Sequence, residues 1–225
     1  QVSETTCGTY SVQDADGHSY NTVLIGSRCW MASNLNVGTK ITSCTNGYVG
    51  TCTTGGDTVK NQTDNSVTEK YCYGDSDANC TAKGGLYQWD EAMQYSETTP
   101  RQGICMAGWH IPTDTEWKTM EMSQGMTQVQ ADLTGWRGTT EGDKLKDSGL
   151  CQGRTPCDTS GFNGLLAGSR STDGAFNNLG SYEYSWSSSV SGGSAWGRSL
   201  DIGYSSVFRN TYVQSYGFSV RCVKD

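Results

Sequence analysis

Residues 108–120 read GWHIPTDTEWKTM, and this stretch decides the fold class. An apolar run stops at Pro112, after which Thr113 and Glu116 stand three apart. That is capping-box spacing, in which each side chain satisfies the other residue's free backbone N–H, and Trp117 and Met120 then fall on one helical face. A short amphipathic helix is therefore predicted from Asp114. Upstream, Leu86, Trp89, Ala92 and Met93 recur at three- and four-residue spacing, which predicts another helix over about 85–95. Further out lie strands. After an Asp16-Gly17 turn, the alternating β-branched run Tyr20 to Ile25 leads to Cys29-Trp30-Met31, the pattern of a hairpin. Toward the C-terminus, strands are predicted over Tyr184 to Ser188, Trp196 to Ile202 and Gly217 to Val223. Between helices and strands the chain is Gly-punctuated, with Leu145, Phe162, Leu165 and Leu166 as core anchors. Two helices inside a chain that begins and ends in strands, with no βαβ alternation, define an α+β fold. No internal repeat is evident. Residues 38–70 are Thr-, Gly- and Asn-rich and read as a long excursion rather than a linker, so residues 1–225 form a single domain.

The chain has 225 residues, long enough to bury a sizeable core. Only 34% of them are hydrophobic, but 7 Trp and 12 Tyr supply aromatic anchors, and 29 Gly predict long loops. The net charge is −7 and the Lys and Arg residues are scattered singly. Such a surface offers nothing for a phosphate backbone or an anionic membrane, so nucleic acid is excluded as a partner. No apolar run approaches the roughly 20 residues of a membrane span. Gln1 does not open a signal peptide, and the segment reads as a mature or trimmed ectodomain.

Ten cysteines stand at 7, 29, 44, 52, 72, 80, 105, 151, 157 and 222. None are paired in the two-residue spacing of zinc knuckles and redox motifs, and only His18 and His110 could complete a mixed site. Five disulfides and an oxidising, extracellular or cell-surface location follow. Local loop closure pairs Cys44 with Cys52, Cys72 with Cys80 and Cys151 with Cys157. Cys7 with Cys29 and Cys105 with Cys222 is the preferred completion, with two other connectivities open. The sequons at Asn61 and Asn79 agree with a surface location and carry little weight.

Residues 199–216, SLDIGYSSVFRNTYVQSY, interleave Tyr204, Phe208, Tyr212 and Tyr216 with Ser, Asp, Asn and Thr. Antibody loops favour the same mixture, because Tyr gives large contact area at low conformational cost and Ser and Asn adapt their hydrogen bonds. The alternative is an aromatic-rich β-loop of an ordinary core. Catalysis finds less support. His110, flanked by Trp109 and Ile111-Pro112, reads as a buried structural histidine, and His18 as solvent-facing after a turn. Asp90 and Glu91 are adjacent on the helix predicted over 85–95, so they point to different faces and read as solvated surface. No enzyme activity is expected.

Ordered blocks of the sequence resemble the Fibrobacter succinogenes major paralogous domain family, of the C-type lectin-like fold group. They are Tyr20 to Gly26, Cys29 to Leu35, Tyr71-Cys72-Tyr73, Gly84 to Trp89, Gly108 to Trp117, Lys144-Leu145-Lys146, Ser160-Gly161-Phe162, Trp186-Ser187-Ser188 and Ser219 to Cys222. Met106 departs from the family, which usually has Pro after the cysteine. The resemblance implies a C-type lectin-like fold with paired terminal strands, and no single activity. The distant formylglycine-generating enzymes of this fold group use a nearby cysteine pair, whereas the cysteine nearest in sequence to Cys222 is Cys157. Some members of the fold group resemble targets of diversity-generating retroelements, which mutate adenines near the 3′ end of a gene. Tyr, Phe, Ser, Asp, Ile and Val are all reachable from an Asn codon by that route. The resemblance therefore implies a diversified ligand-binding face of Ser199, Asp201, Ile202, Tyr204, Ser206, Phe208, Tyr212, Val213, Ser215 and Tyr216. Its ligand would be an unknown protein or glycan. Calcium, common in lectins of this fold, has one candidate in the one-three-five spacing of Asp75, Asp77 and Asn79, but Cys80 stands where a calcium loop wants Gly and a distal Glu is missing. A disulfide-closed polar loop is the preferred reading there, and Asp14 to Gly17 reads as an Asx turn; no cofactor is expected. Two other functions fit the resemblance: a structural or adhesive surface module, such as the head of a pilin-like or cell-wall protein, and a calcium-dependent glycan-binding lectin.

Overall fold

A computed structural model describes residues 7–48, 50–52, 56–96 and 102–225. In chain order the elements are β1 (Ser11–Gln13), β2 (Ser19–Ile25), β3 (Arg28–Met31), β4 (Thr39–Lys40), β5 (Glu69–Lys70), α1 (Asp77–Lys83), α2 (Trp89–Ala92), β6 (Trp109–His110), α3 (Asp114–Ser123), α4 (Gln128–Asp132), β7 (Gly135–Arg137), α5 (Glu141–Leu145), β8 (Ser169–Arg170), β9 (Phe176–Asn177), β10 (Tyr182–Ser191), β11 (Ser194–Asp201), β12 (Val207–Val213) and β13 (Val223–Lys224). The architecture is mixed α+β, mostly sheet, with few and short helices.

A five-stranded sheet in the order β1-β2-β3-β13-β6 joins both ends of the chain: β13 lies between β3 and β6, with Val223 opposite both Trp30 and His110. The predicted hairpin is β2 and β3, closed by Gly26 in the left-handed region. A second sheet runs β10-β11-β12-β7, all antiparallel. One buried cluster, with Trp89, Trp109, Trp186, Phe218 and Val220, covers one end of it. A second cluster, with Trp30, Trp117, Phe162, Leu200 and Val207, packs on its opposite face, and a third, smaller one gathers Ile41, Tyr71 and Leu86. All five disulfides are present with the preferred connectivity: Cys7–Cys29, Cys44–Cys52, Cys72–Cys80, Cys105–Cys222 and Cys151–Cys157.

The helix from Asp114 forms with both halves of its capping box, Thr113 accepting from Glu116 N–H and Glu116 from Thr113 N–H. The expectation of two helices is corrected to five α-helices among the described residues. The segment predicted as helical over 85–95 is helical only at Trp89–Ala92, because Leu86 and Tyr87 bridge in extended form to Tyr71 and Phe218, and Gln94 and Tyr95 have positive φ. Its three- and four-residue apolar spacing comes from a strand-like entry followed by one turn. The acidic pair there is also corrected. Asp90 is exposed, but Glu91 is buried and accepts from Tyr95 Oη at 2.7 Å and Glu69 N–H at 2.9 Å. Burial raises its pKa against those hydrogen bonds. The strand predicted over 217–223 is reduced to single bridges at Gly217, Phe218 and Ser219, followed by β13.

Arg221 shows why distant blocks of the sequence occur together. It is fully buried, lies 4.2 Å from the centre of the Phe162 ring and donates to Asn34 Oδ1 at 2.6 Å, to the Met31 carbonyl at 3.1 Å and to the Phe162 and Asn163 carbonyls. One guanidinium thus ties the C-terminal segment to the first hairpin and the Phe162 loop.

His110 is buried as expected, with Nε2 at 3.0 Å from Glu116 and Nδ1 at 2.6 Å from Asp225. Burial opposes its charge, yet the two carboxylates outweigh burial and raise its pKa. Glu116 is held down to about 2, its burial outweighed by His110 and Thr113. A raised histidine pKa contributes stability that is full below the unfolded value near 6.5 and is lost as pH rises through the folded value. Glu116 contributes above its unfolded value and is lost only in strong acid. Stability from this triad is therefore expected to peak in mild acid and decline above pH of about 6.5. Urea titrations from pH 5 to 9 test this: His110→Gln should flatten the decline, and an unchanged slope would show that His110 does not carry it.

Candidate ligand-binding face

Side chains alternate across the second sheet, so the register assigns its two faces. Tyr182 and Tyr184 stand opposite Asp201 and Ser199, Ser199 opposite Phe208, and Phe208 opposite Trp136. These residues share one face with Tyr212. The other face holds Arg137, Arg198 and Arg209 against α3, where they pair with Glu121 and Asp114. One face is therefore sealed by a buried ion cluster, while the other is partly open.

The open face carries a groove with two lobes. One, of about 340 Å³, lies between Trp136, Phe208, Ser199 and Tyr182. The second, of about 300 Å³, lies between Ser169, Ser171, Asn177 and Tyr216 over Phe218. Asn178, Tyr184 and Tyr212 line both lobes, so the two are continuous. The aromatic rings brace one another. Tyr204 stacks on Trp136 with centroids 4.6 Å apart and planes 8° apart, Tyr182 on Tyr184 at 5.6 Å, and Tyr212 meets Tyr184 edge-on at 6.2 Å. Tyr212 Oη and Ser199 Oγ are 3.0 Å apart, and Asn178 donates to Tyr184 Oη at 3.2 Å. Burial pushes the Tyr212 hydroxyl up to about 12, and the hydrogen bond to Asp201 does the same for Tyr182. Both stay neutral hydroxyls in the physiological range.

Ser199, Phe208, Tyr212 and Tyr216 line this groove, Asp201 lies beside it on the same face and bonds the Tyr182 hydroxyl, and Tyr204 extends the rim through Trp136. Four predicted residues lie elsewhere. Ile202 packs against the Trp117 cluster, and Val213 is 53% exposed at the end of β12 on the face away from Tyr212. Ser206 sits in the loop before β12, and the Ser215 carbonyl accepts from Gln88 Nε2 at 2.9 Å. The sequence reading missed Trp136, Asn178, Tyr182, Tyr184 and the Ser169–Asn177 rim. The alternation Tyr182-Glu183-Tyr184-Ser185-Trp186 was a usable signal for two of them; Trp136 and Asn178 stand in short irregular stretches that carry none.

The loop joining β11 to β12 is held from below by its main chain. Buried Lys146 donates to the carbonyls of Asp201 and Tyr204, each at 2.6 Å, and Arg154 to that of Ile202 at 2.6 Å. Asp143 places both cations, at 2.8 Å from each, and its own N–H donates to the Ser205 carbonyl. Gly142 lets α5 approach so closely that a methyl group there would collide with the backbone of Ser205 and Ser206. The loop geometry is thus independent of most side chains it displays.

The one-three-five acidic loop does not converge. Asp75 accepts from Ser43 N–H at 3.0 Å, Asp77 pairs with Lys40 at 2.6 Å, and Asn79 donates to the Tyr73 carbonyl at 2.8 Å inside α1. Among the described residues no group of three or more His, Cys, Asp or Glu is placed to hold a metal ion, and no helix is long and apolar enough to cross a membrane.

A family model described as the Fibrobacter succinogenes major domain matches residues 23–224. The chain is also similar, at 41% identity over 68 residues, to the ribosome maturation factor RimM of Marinomonas sp. (strain MWYL1); the stretch covers 30% of this chain and 36% of that protein, about a third of its length. No solved structure matches the chain.

Proposed function

The chain belongs to the Fibrobacter succinogenes major domain family, and on that premise we propose that it is an extracellular ligand-binding domain that works without catalysis, displaying a diversified Tyr- and Ser-rich face on a C-type lectin-like scaffold. The observation that carries this reading is the anchoring of the loop between β11 and β12. Lys146 and Arg154 grip carbonyl oxygens, which every residue type possesses. Side chains from Tyr204 onward can then change while the backbone keeps its course, the arrangement a receptor needs to alter specificity without refolding. Five disulfides suit an oxidising exterior.

Sequencing the 3′ end of the gene across a natural population tests the proposal. Adenine-linked substitutions are expected at the codons for Tyr204, Phe208, Tyr212 and Tyr216, and none at those for Gly142, Asp143, Lys146 and Arg154. Substitutions spread evenly along the gene, or codons 199–216 as constant as those of the core, would refute diversification and leave a structural or adhesive module.

A further inference from the structure

We infer that the ligand of the two-lobed groove is a neutral oligosaccharide, bound by stacking and hydroxyl contacts without calcium; the inference rests on the ligand-binding reading above and adds the chemical class. Three observations carry it. First, the surfaces that line the groove are aromatic rings, hydroxyls and carboxamides, and the Asp201 carboxylate on the same face stays outside the lining, engaged by the Tyr182 hydroxyl. A pyranose ring presents an apolar C–H face to a ring such as Tyr184 while its hydroxyls meet Ser199, Ser169 or Asn178, and it has no net charge to neutralise. Protein interfaces also enrich Tyr and Trp, but together with Arg, and no Arg lines this groove.

Second, the shape is concave. Each lobe, of about 300 and 340 Å³, is at the small end of pockets for small molecules, whereas protein interfaces extend over about 800 Å² per partner. Two lobes meeting at Asn178, Tyr184 and Tyr212 suit adjoining sugar units rather than one. Third, the polar rim is fixed before any ligand arrives. Asn178 sits at φ 67°, a conformation asparagine tolerates better than most residues, and its side chain is already oriented on Tyr184 Oη. Serine hydroxyls at 169 and 171 come from the neighbourhood of β8, outside the segment 199–216. A polar rim from outside the segment proposed to vary therefore faces aromatic residues within it: the rim sets the ligand class and the segment selects within it.

The test uses the full chain and calorimetric titration with neutral β-1,4-linked hexasaccharides of glucose, xylose, mannose and N-acetylglucosamine, with a galacturonic acid hexamer as the anionic control, all in excess EDTA. At least one neutral hexasaccharide is expected to bind with Kd at or below about 1 mM. Trp136→Ala, at an exposed rim position, and Tyr184→Ala should each weaken it about tenfold, while Tyr184→Phe keeps most of the affinity. Asn178→Gly keeps the positive φ but removes the carboxamide, and should also weaken binding while thermal unfolding stays near wild type. The inference is overturned if no neutral hexasaccharide binds, if EDTA abolishes binding, if the galacturonic acid hexamer binds as tightly, or if the groove variants leave affinity unchanged. The population sequencing described above is unaffected by any of these results, so a non-glycan receptor remains distinguishable from a domain with no diversified face.

Discussion

Glu121→Gln is expected to destabilise the domain by about 3–5 kcal/mol, since it removes one carboxylate from a buried cluster of three arginines. Glu121 is fully buried and receives both terminal nitrogens of Arg137, at 2.7 and 2.8 Å, and Nε of Arg198 at 2.6 Å. Asp114 completes the cluster with Arg198 at 2.8 Å and Arg209 at 2.7 Å. Burial works against the charge of Asp114, but Arg209 and Arg198 outweigh it and hold its pKa low. Without Glu121, three buried guanidinium groups would share one carboxylate. For a domain of this size the expected loss corresponds to a fall of about 6–20 °C in the thermal midpoint. Lys40→Ala, which breaks the pair with exposed Asp77 away from this cluster, is the control and should leave the midpoint near wild type. A loss below about 1 kcal/mol for Glu121→Gln would mean that the sheet does not depend on this cluster.

Removing the Cys105–Cys222 bridge is expected to cost about 4–5 kcal/mol, more than removing any of the other four. It closes a separation of 117 residues, against 6 for Cys151–Cys157, and closure entropy grows with the logarithm of loop length. Both of its cysteines are buried within the Trp89–Trp186 cluster, and the bond joins the entry to β6 with the entry to its neighbour β13, so two paired strands of the first sheet lose their covalent tie when it is cut. The double variant Cys105→Ala, Cys222→Ala should unfold at a markedly lower urea concentration than Cys151→Ala, Cys157→Ala, for which the same argument gives about 3 kcal/mol or less. The reverse order would sink the closure argument.

The helix at Asp114 and the first hairpin were legible in the sequence because their determinants are local: a capping box and an alternating run act on neighbours within four residues. The disulfide framework was legible because the short loops constrain their own closure and few combinations remain. Helix α1 was not, since Asp77–Lys83 has little amphipathic pattern and is held by Cys72–Cys80 and the Asn34 side chain, which donates to the Lys83 carbonyl at 2.9 Å. Strand β12 was hidden inside residues 199–216, because its mixture of aromatic and polar residues serves an open face on one side and an arginine cluster on the other.

The candidate face divides in the same way. The sequence by itself determined that Tyr204, Phe208, Tyr212 and Tyr216 form a contact-rich segment, since residue chemistry is intrinsic. Only the tertiary structure decided which of them share a surface. Strand register turned Phe208 and Tyr212 to one side and Val213 to the other, and it brought Trp136, Asn178 and Tyr184 from as far as 76 residues away in sequence. Register is set by long-range pairing and by buried groups such as Lys146 and Arg209, whose partners lie 58 and 95 residues away. No local pattern encodes such distances, because the energy that fixes them arises only when the partners meet and water is excluded.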